Sequence, residues 1–149
     1  MQVHLKNKLA PPGVKTIAPG FLRRLAAILY DSFLLLAVWF LATALLLPLN
    51  GGQAFVSQQL FFPLYLLAVS FVFYGWFWTH GGQTLGLKAW KLKVQSLEQQ
   101  PLNWKQALIR FSAAILSWSL CGLGFFWILL DKKNCAWHDY LSNTAVFFE

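Results

Sequence analysis

Acidic residues are scarce in this chain. It has five Asp and Glu in 149 residues, and charged residues of both signs make up only 11%. A soluble domain carries about 25% charged residues, with its apolar residues dispersed. Here 58% of the residues are hydrophobic and they come in blocks, which excludes an ordinary soluble domain and points to one compact membrane domain. Cysteine is scarce too. Cys121 and Cys135 form no CxxC and no paired ligand spacing, which excludes a disulfide framework and a zinc site. Nor is there a convincing nucleophile, metal set or acid–base pair, so no enzyme is expected. The formal charge of +7 would suit nucleic acid in a soluble protein. Its basic residues instead flank apolar blocks, so nucleic acid is excluded and membrane orientation explains the charge.

Residues 1–20 are polar and basic, with Pro11, Pro12, Gly13, Pro19 and Gly20, and read as a flexible arm. Residues 21–149 form the membrane domain. A first span is predicted at about 25–47, long enough at 1.5 Å per residue to cross a core of about 30 Å. Ala42-Thr43-Ala44 resembles a cleavage site, but membrane-grade sequence continues to Leu47, so the helix is read as uncleaved. Pro48, Asn50, Gly51 and Gly52 end it, and the connection 48–59 is uncharged. The second span, about 60–78, finishes in Tyr74, Trp76, Phe77 and Trp78, aromatics that suit a membrane interface.

Residues 83–106 read as a basic loop with a short strand, in which Trp90, Leu92 and Val94 share a face. Ser96 to Pro101 is a turn, and Asn103 is placed to cap the next helix. The third apolar segment, about 107–130, contains Cys121-Gly122-Leu123-Gly124 at its middle. Glycine costs about 1 kcal/mol against alanine inside a helix, so the segment is either one crossing or a hairpin that returns. A single crossing leaves ten Lys and Arg on one side and two on the other; a hairpin puts all twelve on one side. Charge counting favours the hairpin, with the N-terminus and the tail 131–149 cytoplasmic. Thr144 to Phe148 would then pair with Lys91 to Gln95. The expected fold class is therefore an all-α membrane protein with two spans, a third apolar segment and a small cytoplasmic β pair.

Asp31 is the one acidic residue within a span. It lies seven residues after Arg24, on nearly the same helix face and about 10 Å deeper. An ionised carboxylate at mid-helix costs ~2.5–3.5 kcal/mol to insert, so it should face protein or water. It is read either as a proton- or cation-handling group or as half of a structural ion pair, with Arg24 or Arg110 as partner. Arg23 reads as an interfacial anchor. His138-Asp139 is a weak catalytic signal, because adjacent side chains on a helix do not face one another; Asp139 reads as a cap or ion-pair partner. No cofactor is implied: Gly82 to Gly86 lacks the GxxxxGK[ST] spacing and a preceding strand.

Three stretches together resemble the RDD family of membrane proteins. They are FLRRLAAILYD from Phe21 to Asp31, GQTLGLKAWKLKV from Gly82 to Val94, and WHDYLSNTAV from Trp137 to Val146. The family is named for one arginine and two aspartates, which by motif are Arg24, Asp31 and Asp139 here. Arg110, His138, Thr84, Gly86 and Thr144 are the candidate supporting residues. Leu85 stands where many members have proline, and Ser142-Asn143-Thr144 replaces a common Ala-Gly-Thr.

The resemblance implies transport of solutes, with sodium/proton exchange claimed for some relatives. If the three charged residues meet, one guanidinium would sit between two carboxylates. Two spans are too thin to enclose a pathway, so a homo-oligomer or a partner membrane protein is expected in addition to the lipid bilayer. The expected function is a transport or H+/Na+ exchange component of a bacterial inner membrane, the solute or small cation being open. The alternative is a scaffold, assembly factor or partner subunit whose charged cluster is structural.

Overall fold

The computed structural model describes residues 19–56 and 59–149, so most of the basic arm lies outside the described residues. The first helix, α1 (Phe21–Leu46), is followed by a 3-10 turn at Leu47–Asn50. Pro48 has no N–H to continue the α ladder, and Gly51 closes the turn at φ +65°. The second helix, α2 (Phe61–Thr79), carries Pro63 in its first turn, where no intrahelical N–H bond is lost. Both are long and apolar enough to cross a membrane. Leu22, Phe33 and Phe40 on α1 and Leu64 on α2 are exposed, as lipid-facing side chains would be.

Lipid removes the hydrophobic drive for helices to associate, so packing and polar contacts must hold the spans together. Two such contacts join α1 to α2. Trp39 Nε1 donates to Ser70 Oγ at 2.9 Å, and the Tyr65 hydroxyl donates to the Ala42 carbonyl at 3.3 Å.

Beyond α2 the expected basic loop is more ordered than its sequence suggests. Thr84 caps a short helix, α3 (Leu85–Ala89), before β1 (Leu92–Ser96) begins. Trp90 therefore ends a helix and is exposed, while Leu92, Val94 and Ser96 form the buried face of the strand. Ser96 to Pro101 turns as expected, with the Ser96 N–H bonded to the Gln100 carbonyl. Asn103 caps α4 (Trp104–Ser119) reciprocally with Gln106.

The third apolar segment breaks where the glycines stand. After α4 the chain bends by 102° into α5 (Leu123–Phe126) and a 3-10 turn at Trp127–Leu129. Gly122 takes φ +76°, which a glycine adopts without steric cost. The tail then forms α6 (Trp137–Leu141) and β2 (Thr144–Phe148). Strand β2 pairs antiparallel with β1, Leu92 opposite Phe148 and Ser96 opposite Thr144. The tail thus comes back to the chain end of α2, as the hairpin alternative requires. A core of Ala27, Trp78, Leu92, Val94, Ala107 and Val146 joins the helix ends to the sheet. A second cluster packs Phe125, Ile128 and Ala136 against Phe21, Leu25 and Ile28 of α1.

Candidate functional site

The charged residues converge where the first turn of α1, the middle of α4 and the returning tail meet. Asp139 lies in the first turn of α6, where its Oδ2 accepts the Ala136 N–H at 3.0 Å. The same oxygen accepts from Arg24 Nη1 at 2.7 Å, and Oδ1 accepts from Arg110 Nη1. The Asp139 side chain is fully buried, and Arg24 and Arg110 are nearly so. The Arg110 Nη1 also donates to Thr144 Oγ1 at 2.9 Å, and that hydroxyl meets Ser142 Oγ at 2.6 Å. Trp78 covers the Arg110 guanidinium, 5.3 Å from its ring centre, a cation–π arrangement.

The expected geometry is therefore reversed. One carboxylate sits between two guanidiniums, because Arg110 takes the place that Asp31 was expected to fill. Among the described residues no Lys or Arg lies within ion-pair distance of Asp31. Its carboxylate is held from the loop instead: Oδ2 accepts from Thr84 Oγ1 at 2.5 Å and Oδ1 from the Gly86 N–H at 2.8 Å. The Thr84 hydroxyl in turn accepts the Leu87 N–H, so one side chain caps α3 and binds α1. Gly86 is obligatory for the approach. A Cβ there would lie 2.3 Å from the Ala27 carbonyl oxygen and 2.8 Å from Asp31 Cγ.

Burial pushes the Asp139 carboxyl up, but the Arg110 and Arg24 charges outweigh it and hold the group well below the usual carboxylate range. His138 Nε2 stands 3.7 Å from Asp139 Oδ1, too far for a hydrogen bond. Burial takes the His138 imidazole down to about 4, so it is neutral at pH 7.

Asp31, Arg24, Arg110 and His138 all wall one cavity of about 430 Å³. Its other walls are mainly apolar, with Ile28, Phe111, Ile115 and Phe125 among them. All five candidate supporting residues thus touch one of the two carboxylates or a cationic partner. Three contributors carry little or no sequence signature. Trp78 ends the run of aromatics expected at the interface, yet it is buried and roofs Arg110, whereas Trp76 is exposed. Ser142 had a local signal, a hydroxyl two residues from Thr144. The cavity had none, since its walls come from distant segments.

Comparison with curated proteins and with solved structures gives no match. The family model described as RDD family matches residues 18–143, a stretch that holds both carboxylates and both arginines. With most of the chain covered, the protein belongs to the RDD family.

Proposed function

We propose that this chain is a non-enzymatic solute-transport component of a bacterial inner membrane, with the cavity as the place where the solute is held. Asp31 is the group that takes up a proton or small cation. The observation that carries this reading is the environment of Asp31. The one acidic residue in a span walls a cavity and has no cationic partner within 4 Å among the described residues. An intramembrane carboxylate left free of an ion pair is positioned to exchange its charge with a bound ion or proton. The basic flanks of the spans put the N-terminus and tail in the cytoplasm. Two spans and one bent segment make a thin protomer, and a homo-oligomer or partner membrane protein completes the pathway.

Proton and sodium flux in proteoliposomes, comparing wild type with Asp31→Asn at matched incorporation, tests this. Gradient-dependent flux that disappears in the variant supports transport. Flux that survives unchanged removes Asp31 from the mechanism.

A membrane scaffold is the second reading, and the Arg24–Asp139–Arg110 group favours it. That cluster ties both ends of the chain together whether or not anything is transported. Under it, Asp31→Asn lowers abundance or partner binding in cells and the reconstituted wild type carries no flux.

A further inference from the structure

The Arg24–Asp139–Arg110 cluster leaves hydrogen-bonding capacity unused. Arg24 Nη1 and Arg110 Nη1 serve Asp139, but Nε and Nη2 of Arg24 and Nε of Arg110 have no partner. These atoms are buried, and the two residues are 4% and 5% exposed. A buried donor without an acceptor is costly, and more so on a charged group. Native proteins rarely keep such groups unless something satisfies them.

Charge points the same way as hydrogen bonding. Two guanidiniums face a single carboxylate, and His138 beside them is neutral at pH 7 because burial takes it down to about 4. That end of the cavity is therefore cationic. Asp31 lies seven residues further along α1, about 10 Å by helical rise, with its oxygens turned to Thr84 and Gly86. The cavity is thus polarised, positive where α1 begins and acidic further in, with apolar walls between. Its volume lies in the range of small-molecule sites.

We infer that the cavity holds an amphipathic oxyanion, its carboxylate or phosphate head at the end walled by Arg24 and Arg110 and its apolar body against Ile28, Phe111 and Ile115. Guanidinium donors in a fixed planar array match such heads better than any other ligand chemistry. The inference deepens the transport reading, on which it rests for the role of the cavity, by naming the class of solute. Two sources supply the chemistry: the head of a membrane phospholipid and a free amphipathic acid.

The test is equilibrium binding to the full chain in nanodiscs of a zwitterionic lipid, with dodecanoate as the probe. Dodecanol and dodecyltrimethylammonium, of matched chain length, serve as the neutral and cationic controls. Dodecanoate is expected to bind at least about ten-fold tighter than either control, the worth of one charge-assisted contact. Arg24→Lys keeps the charge and loses the planar donors, and weakens dodecanoate by a similar factor. Because that variant risks the fold, Ala114→Trp is the second: it fills the cavity, leaves the cluster untouched and abolishes binding. Phosphatidylglycerol added to the nanodiscs distinguishes the sources. Competition with dodecanoate identifies a lipid head as the ligand, and no competition identifies a free acid. Equal binding of all three probes, or binding that survives Ala114→Trp, overturns the inference. Anion binding without any flux leaves it standing and removes the transport reading. Flux with no preference for the anion does the reverse.

Discussion

Arg24 and Asp139 are 115 residues apart in sequence and 2.7 Å apart in space, and both are buried. Their contact fastens the start of the first span to the last helix of the chain. Arg110, two turns into α4, closes on the same carboxylate. Three separate parts of the chain are therefore fixed by one side chain, although two spans and a bent segment offer little core in the usual sense.

Asp139→Asn is accordingly expected to be the most damaging single change of charge. Breaking a buried ion pair by removing one partner costs about 3–5 kcal/mol, because the remaining charges stay buried. Asp31→Asn should cost less, about 1–3 kcal/mol, since no guanidinium loses its partner. Thermal denaturation in detergent at pH 7.5 gives the order, and a larger shift for Asp31→Asn would contradict it.

Gly86→Ala should destabilise even though alanine is the better helix former. Its Cβ meets the Ala27 carbonyl oxygen and the Asp31 carboxyl at distances that require α3 to move off α1. Overpacking of this kind costs typically about 1–3 kcal/mol, more than the ~1 kcal/mol that alanine gains over glycine in a helix. The two changes act on one contact, so Gly86→Ala combined with Asp31→Asn should fall well short of additive. An additive double variant would mean that the Gly86–Asp31 contact holds little of the stability.

Acid should weaken the fold in two stages. His138 binds its proton near 6.5 when unfolded but only near 4 when folded. Between those values the unfolded chain holds more protons, so stability falls as pH drops from about 6.5 to 4, by on the order of 3 kcal/mol in all. Asp139 is held well below its ordinary 3.8, so its contribution is present above that value and lost as pH falls beneath it. His138→Gln should flatten the upper stage in a denaturation series from pH 7.5 to 4.5. An unchanged slope would assign the acid sensitivity to another group.

Cysteine labelling checks the return of the chain. With Cys121 and Cys135 replaced by alanine, Lys88→Cys and Lys132→Cys should react with a membrane-impermeant maleimide from one face, and Gln53→Cys from the other. Both lysines and Gln53 are exposed, so reactivity reports the side of the membrane and not burial. Lys88→Cys and Lys132→Cys labelled from opposite faces would require α4 and α5 to cross as a third span.

Some of this was written in local sequence. The first two helices follow from runs of apolar residues long enough to bridge a bilayer, and their ends from Pro48 with Gly51 and from His80 with Gly81. The Asn103 cap, the break at Gly122 and the β pair were also legible, since each depends on residues within a few positions or on a period of two. Asp31 stood out because a charge amid apolar sequence is conspicuous, whereas Arg24 and Asp139 were joined to it only by the resemblance to the family.

Which charge meets which was decided only by the fold. The sequence offers both Arg24 and Arg110 as partners for Asp31, the first seven residues away on nearly the same helix face and the second in a distant segment. The ranking came from α3, a five-residue helix that the loop's basic composition concealed. By presenting the Thr84 hydroxyl and the Gly86 N–H to Asp31, it satisfies that carboxylate without a cation, and both guanidiniums are left to Asp139. Hydrogen-bond donors brought from 53 and 55 residues away thus separate one charged cluster into two, and the cavity lies where they part. Periodicity and composition report what a segment needs to bury. They do not report which distant donor will reach it, because that depends on the packing of every element between.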